Sequence, residues 1–392
     1  MFGRVDICTI ILTTALTSSA CDEFLLNTTH YDYPENIVVS GRNMDSTWGV
    51  NWNLAAVTPN TTLSRFNPVA IEDTMITYIN KYGFIGVAGE FNITGPGTII
   101  PDNLIAITDG MNTEGLTVGV LWDRNTAGYL PYDTNGPELA VTVYDLSTYL
   151  LSMCKDIADV QALLDPTIMQ VPFYLEVPAF LLVHLILHDA AGKSLVIEWD
   201  EPGKMTLTVD VPVLTNSPQL PAQLVNLEQA LAADWDMTQV DALNITDYNY
   251  MYYPEARFLR LYYLNSLNRI MPWFEQTTAY PYTPNDGSVD RTAVLTTLDM
   301  LTANTIPWRY SHDGLYLGEG QEDRTQWQSV RDATNLVYYV RTIALPTLSK
   351  FDLTTTLKSL QNSAGDVRVI NLGTATRAEG SWNIDRTSIW SE

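Results

Sequence analysis

The hydrophobic period of this chain changes four times, and that order limits the fold more than any single motif does. From Asn36 to about Trp122 the apolar residues come in short β-branched runs: Ile37–Gly41, Asn53–Val57, Phe84–Ala88, Leu104–Thr108 and Thr117–Trp122. Asp109-Gly110 and Glu114-Gly115 read as turns around Asn112. Near Glu138 the spacing becomes helical, with Leu139, Val143, Leu146, Leu150 and Leu151 on one face. A shorter helix is expected over Asp156–Leu164, with Pro166 just beyond it. Strands return at Phe180–Leu187, Ser194–Trp199 and Met205–Val211, with Ala191-Gly192-Lys193 as a turn. Gln219 to about Asn304 is mainly helical, with loops expected at Tyr248–Tyr253 and Tyr280–Pro284. Strands close the chain, for example at Asn335–Tyr339 and Val367–Leu372. Segregated blocks of strands and helices indicate an α+β protein, here one domain with two stacked sheets between helical layers.

Composition narrows the partners. The formal net charge is −24, which disfavours nucleic acid and anionic membrane surfaces. No stretch after the N-terminal segment is long and apolar enough to be an integral membrane helix. An anionic substrate would need local arginines against this field.

The N-terminus reads as a targeting segment. Arg4 gives a short positive start, Ile7–Leu16 is a mostly apolar core, and Ser18 and Ala20 are the small residues of a cleavage site. Residues 1–20 are therefore expected to be a signal peptide, residues 21–392 one mature domain, and the protein secreted or periplasmic. Cleavage after Ala20 makes Cys21 the first residue. The alternative reading of Ser19-Ala20-Cys21 is a lipoprotein anchor, but Ser18 stands where such sites prefer leucine, and acylation would remove the amine as a base. Export also leaves a Cys21–Cys154 disulfide open, although Cys154 ends an apolar helical run and suits a small buried role. Sequons begin at Asn27, Asn60, Asn92 and Asn244.

Common catalytic signatures are absent: the sequence has no Gly-x-Ser-x-Gly, Walker loop, His-Glu-x-x-His or Cys-x-x-Cys. Only His30, His184, His188 and His312 are available for a histidine-based site. His184 and His188, four apart on an expected strand, read as sheet residues rather than zinc ligands, and no metal or cofactor is expected. Cys21 stands apart because of its position. A thiol is little ionised at neutral pH, whereas a free α-amine titrates at about 7.7–8.0 and can take the thiol proton on the same residue.

Several runs, in order, resemble the choloylglycine hydrolase family, which includes conjugated bile salt hydrolases and penicillin V acylases. They are Gly41-Arg42-Asn43-Met44-Asp45, Asp109-Gly110-Met111-Asn112-Thr113-Glu114-Gly115-Leu116, Leu214-Thr215-Asn216-Ser217-Pro218, Thr325-Gln326-Trp327 and Asn335-Leu336-Val337-Tyr338-Tyr339. The resemblance implies a four-layer αββα sandwich of the N-terminal-nucleophile hydrolase type. It implies Cys21 as nucleophile, Arg42 beside the thiol, Asp45 holding the α-amine, and Asn216 with the backbone N–H of Trp122 as oxyanion donors. Arg291, in Ser288-Val289-Asp290-Arg291, matches the family's late active-site arginine. One departure is that Ser46 and Thr47 separate Asp45 from Trp48, where family members often place an aromatic directly.

The implied activity is hydrolysis of a linear, non-peptide amide of the N-acyl kind. Penicillin V is favoured as the substrate type over conjugated bile salts and N-acyl homoserine lactones. A homo-oligomer is left open. The reading from another class is an exported, non-catalytic binding protein on the same scaffold.

Overall fold

The computed structural model of the protein describes residues 21–26, 28, 37–46, 51–69, 75–89, 105–123, 128–172, 182–200, 203–236, 252–266, 289–306, 324–342, 345–363, 366–375 and 383–385. The strands Cys21–Leu25 (β1), Val39–Asp45 (β2), Trp52–Val57 (β3), Thr62–Arg65 (β4), Ile76–Ile79 (β5), Phe84–Gly89 (β6), Ile107–Asn112 (β7), Thr117–Trp122 (β8) and Leu139–Ala140 (β9) come first. The helices Val143–Met153 (α1) and Ile157–Leu163 (α2) follow. Met169–Gln170 (β10), Val183–His188 (β11), Ser194–Asp200 (β12), Lys204–Val209 (β13) and Val213–Thr215 (β14) lead into the helices Leu220–Ala232 (α3), Pro254–Ser266 (α4) and Val289–Ala303 (α5). The chain closes with Thr325–Asp332 (β15), Val337–Thr342 (β16), Leu345–Asp352 (β17), helix Leu353–Ser363 (α6), Val367–Asn371 (β18), the short helix Leu372–Ala375 (α7) and Asn383–Asp385 (β19).

Two large sheets result. One has the order β14-β1-β2-β15-β16-β17-β19 and the other β13-β12-β11-β8-β7-β6-β3-β18. On the outer face of the second sheet, Val143, Leu146 and Leu150 of α1 pack with Val118, Leu185, Leu187 and Ile197. On the first sheet, Phe258 and Leu261 of α4 and Val294 and Leu301 of α5 pack with Phe24 and Val330. The layers are helix, sheet, sheet, helix, as the sequence led us to expect.

Local chemistry explains where the elements begin and end. Asp156 caps α2, its carboxylate accepting from Asp159 N at 2.9 Å, an N-cap of the ordinary kind. Cys154 closes α1 by donating its N–H to Leu150 O, and it is buried and free of any disulfide, as is Cys21. Two expectations shift. Leu139 belongs to β9, and the helix starts only at Val143. Asp109-Gly110 is not a turn but lies inside β7. Gly110 is needed there for close packing, since a Cβ would meet Ile85 O and Leu151 Cδ1 at 2.9 Å each. Asp109 is kept in a strand by burying its carboxylate against Arg331 and Tyr338.

Every residue of β1 is buried, because β1 is an inner strand with a layer on each side. Its period of two therefore sorts Cys21 and Glu23 toward the second sheet, and Asp22 and Phe24 toward the helices. The same sorting on β2 puts Arg42 and Met44 with Cys21, and Asn43 and Asp45 with Asp22. Among the described residues no helix is long and apolar enough to cross a membrane. The sequons at Asn27, Asn92 and Asn244 lie outside the described residues, as do His30, Trp48, His312 and the Tyr280–Pro284 segment. Asn60 sits in an exposed turn with φ of 63°.

Candidate active site

The register of β1 and β2 places Cys21 opposite Met44 and Glu23 opposite Arg42. Cys21 is 1% exposed. Its Sγ lies 3.8 Å from Arg42 Nη2, 3.4 Å from Met44 Sδ and 4.0 Å from the backbone oxygen of Asp45. Burial pushes the Cys21 thiol up from its ordinary pKa, and the Arg42 charge acts against that shift.

Arg42 reaches across the sandwich. The ladder between β7 and β8 runs to Asp109 and Gly119, and the Arg42 guanidinium donates to the next two carbonyls, Thr108 O and Val120 O. Arg42 thus links the two sheets, and the Trp327 ring lies 5.6 Å from its guanidinium carbon. Both carbonyl partners are neutral, so the Arg42 charge favours the thiolate, while Asp45 acts on the sulfur in the opposite sense.

Asn216 follows β14, which pairs with β1. Its Oδ1 accepts from Cys21 N and, at 2.9 Å, from Arg257 Nη2. Two donors on one side fix the orientation of the amide, so Nδ2 faces the other way and donates to Trp122 O at 2.8 Å. The second hydrogen on Nδ2 is left for another acceptor. Asp123 N donates to Leu182 O, so Trp122 and Val183 form a non-hydrogen-bonded pair. The backbone groups of Trp122 therefore turn away from β11. Gln223, fully buried on α3, donates to Asn216 O and Pro218 O, each at 2.6 Å.

Asp45 points to the helical side. Its Oδ1 accepts from Thr325 Oγ1 at 2.5 Å, and its Oδ2 lies 3.7 Å from Arg257 Nη1 and accepts no hydrogen bond among the described residues. Burial, with the nearby Asp22 carboxylate, pushes the Asp45 pKa up to about 8. Asp22 is held by Asn304 Nδ2 at 2.7 Å and lies 3.9 Å from Arg257.

Arg257 was not singled out in the sequence. It is fully buried on α4, donates from Nη1 to Cys21 O at 2.8 Å, and also bonds Asn216 and Tyr252 O. The sequence does carry a signal for it: Arg257 stands on the same helix face as Leu261 and Asn265, a charged residue on a buried stripe. Arg291, the arginine singled out by motif, lies in the first turns of α5, and its side chain is outside the described residues. Cys21, Arg42, Asp45, Asn216 and the carbonyl of Trp122 thus converge, together with Arg257, Met44 and Thr325, which the motifs did not mark.

Comparison with known proteins identifies the family and the fold. Residues 26–272 match the family model described as linear amide C–N hydrolases, choloylglycine hydrolase family. Arg257 falls inside the matched span and Arg291 outside it. A bile salt hydrolase/transferase of Clostridium perfringens is 26% identical over 190 residues, 48% of this chain and 52% of that protein. An uncharacterised protein of Paramecium bursaria Chlorella virus 1 is 32% identical over 146 residues, 36% of this chain and 48% of that protein. The chain thus matches only about half the length of either relative.

Among solved structures, a mutant conjugated bile acid hydrolase from Clostridium perfringens superposes with a TM-score of 0.65 at 18% identity, covering 92% of this chain and 99% of that one. Penicillin V acylase from Agrobacterium tumefaciens gives 0.63 at 22% identity, covering 94% and 96%. At these identities the superpositions speak for the fold, while the family match spans well over half of the residues. The chain belongs to the choloylglycine hydrolase family of linear amide C–N hydrolases.

Proposed function

We propose that the protein is an exported cysteine amidase that hydrolyses a linear N-acyl amide, of the penicillin V acylase type, after residues 1–20 are removed. The observation that carries this reading is the convergence on Cys21 of Arg42 at 3.8 Å from the sulfur and Asn216 on the nitrogen. In the processed chain that nitrogen is an α-amine. It takes the thiol proton, directly or through water, and Arg42 stabilises the thiolate. The sulfur attacks the amide carbonyl carbon. The oxygen becomes an oxyanion held by the second Nδ2 hydrogen of Asn216 and the backbone N–H of Trp122, where each such donor contributes ~3 kcal/mol to the transition state. The α-ammonium passes its proton to the leaving amine as the C–N bond breaks, leaving a thioester. Water, deprotonated by the α-amine, attacks the thioester, and the acid leaves with Cys21 restored as a thiol. Asp45 Oδ2 is the acceptor proposed to orient the ammonium.

The test is a side-by-side panel of penicillin V, conjugated bile salts, N-acyl homoserine lactones and simple N-acyl amides, with the mature N-terminus read by mass spectrometry. Hydrolysis of penicillin V by a chain beginning at Cys21, and its loss in Cys21→Ala with an unchanged fold, is the expected result. Residues retained before Cys21 in active protein, or activity in Cys21→Ala, would sink the mechanism. The similarity to a bile salt hydrolase makes bile salts the second reading, favoured if they are turned over faster in the panel.

A further inference from the structure

The turn that carries Asn216 is gripped by two buried carboxylates, one of them backed by a histidine, that take no part in the steps above. Ser217 Oγ donates to Asp123 Oδ1 at 2.7 Å. Leu220 N, at the start of α3, donates to both oxygens of Glu198, at 3.0 and 3.2 Å. His184 Nδ1 lies 2.9 Å from Glu198 Oε1. Asp123 comes directly after β8, His184 is on β11, and Glu198 is on the neighbouring strand β12. All three are buried, with one ligating atom of each within 4.8 Å of the others. The second sheet thereby holds the turn at Ser217, one residue after Asn216, and at Leu220, four residues after it.

The charges account for why the sequence uses a histidine here. Two buried carboxylates side by side repel each other and need a compensating positive charge. The N-terminus of α3 supplies a partial one to Glu198. Protonated His184 supplies a full one. Among the described residues the charged or titratable groups facing its ring are Glu198 from β12 and Asp123 from the end of β8, and β14 offers only the Thr215 backbone. Burial disfavours the imidazolium, but these groups outweigh it and hold the His184 pKa above its ordinary value. His188, on the same strand, is the contrast: it bonds Ser194 and its Nε2 lies 3.6 Å from Glu23, yet burial and then the Arg331 charge push its pKa well below the ordinary value.

We propose that His184, Glu198 and Asp123 are positioning residues of the amide-hydrolysing site, acting through Ser217 and Leu220 to fix the turn that presents Asn216. This rests on the function proposed above. The effect belongs in the transition state, because the oxyanion forms only there, so kcat is the parameter affected.

The experiment compares the processed protein, beginning at Cys21, with its Glu198→Ala, Glu198→Gln and His184→Gln variants. Its readouts are kcat and KM on the best amide, amide hydrogen exchange over residues 215–220, and zinc content. Glu198→Ala is expected to lower kcat about 10²-fold, the cost of a misplaced oxyanion donor, with exchange at Asn216 to Leu220 accelerated. KM should stay within roughly threefold, since ground-state binding is untouched. Glu198→Gln keeps an oxygen for Leu220 N–H and should recover kcat to within about tenfold of the parent. The parent should lose kcat on the alkaline side as the His184 ring, followed by NMR, gives up its proton. His184→Gln should be slower throughout and lack that limb. Unchanged kcat and exchange in Glu198→Ala overturn the proposal. So does a stoichiometric zinc that the parent holds and Glu198→Ala loses, which would make the cluster a metal site. If the parent hydrolyses nothing in the panel, the proposed function fails, and the exchange rates alone then decide whether the grip on the turn exists.

Discussion

Arg257 touches the two atoms on which the proposed chemistry is most sensitive to position, the carbonyl oxygen of the nucleophile's own residue and the Oδ1 of Asn216. Its planar fork reaches both at once, while its charge lies between Asp22 and Asp45. A lysine is a point charge and cannot span the pair. Arg257→Lys is therefore expected to lower kcat about 10²-fold with little change in KM, as removal of an oxyanion-hole component does. Steady-state kinetics alongside Arg291→Lys checks this. A loss confined to Arg291→Lys would restore the motif-based choice of arginine. The contrast between the two arginines also shows which residues a sequence can disclose. Cys21, Arg42, Asp45 and Asn216 lie in short runs with family spacing. Arg257 lies in Glu255-Ala256-Arg257-Phe258, a stretch whose only signal is a charge on an apolar helix face.

The elements that hold the site depend on close approach between the two sheets. Glu23, two residues after the nucleophile, enters the space between β1 and β8 and lies against Gly119, where a Cβ would meet its Oε2 at 1.4 Å. The carboxylate has nowhere to retreat, since Arg331 Nη2 holds Oε1 at 2.7 Å and the same guanidinium holds Asp109 at 2.7 Å. Gly119→Ala is expected to break this buried pairing and destabilise the fold by about 3–5 kcal/mol. In a Glu23→Ala background the same substitution should cost much less, and chemical denaturation of the four proteins measures the coupling. A cost that is equal in both backgrounds would refute the contact as its cause. This is also where sequence reading falls short at the scale of elements. Strand Thr117–Trp122 is evident from its Val and Leu content, and the α1 stripe from its spacing. Asp109-Gly110 looks like a turn because those residue types usually make turns. Its place inside β7 is set by Arg331 and Tyr338, more than two hundred residues away in the chain, and nothing local encodes that.

The molecule as a whole buries acids that bind their protons more tightly in the fold than in water, and this gives its stability a direction in pH. Burial raises Asp45 to about 8 and Glu23 to about 7, and His184 also holds its proton more tightly than an ordinary histidine. In the unfolded chain these groups titrate near 3.9, 4.3 and 6.5. Above pH 6.5, then, the native state binds more protons than the unfolded state, and stability falls as pH rises through the folded values. His188, whose pKa is depressed, is neutral in the fold but still partly protonated in the unfolded chain near pH 6.5, so it opposes the fall weakly at the start of this range and not at its end. Each group protonated only in the fold removes about 1.4 kcal/mol per pH unit, and the excess negative charge of the chain acts in the same sense. We expect the free energy of unfolding of the chain that retains residues before Cys21 to fall between pH 6.5 and 8, measured by urea titration at fixed ionic strength. Asp45→Asn, which mimics the protonated acid and keeps an oxygen for Thr325, should flatten that fall. A stability that is level or rising over this window would mean that Asp45 and Glu23 are ionised in the fold. Processing supplies a further arm. Cleavage before Cys21 turns an amide nitrogen into an ammonium beside Arg257, Asn216 and Asp45, and a new positive charge there favours the Asp45 carboxylate. The processed chain should therefore show a weaker pH dependence than its precursor, and Asp45→Asn should abolish the difference between the two.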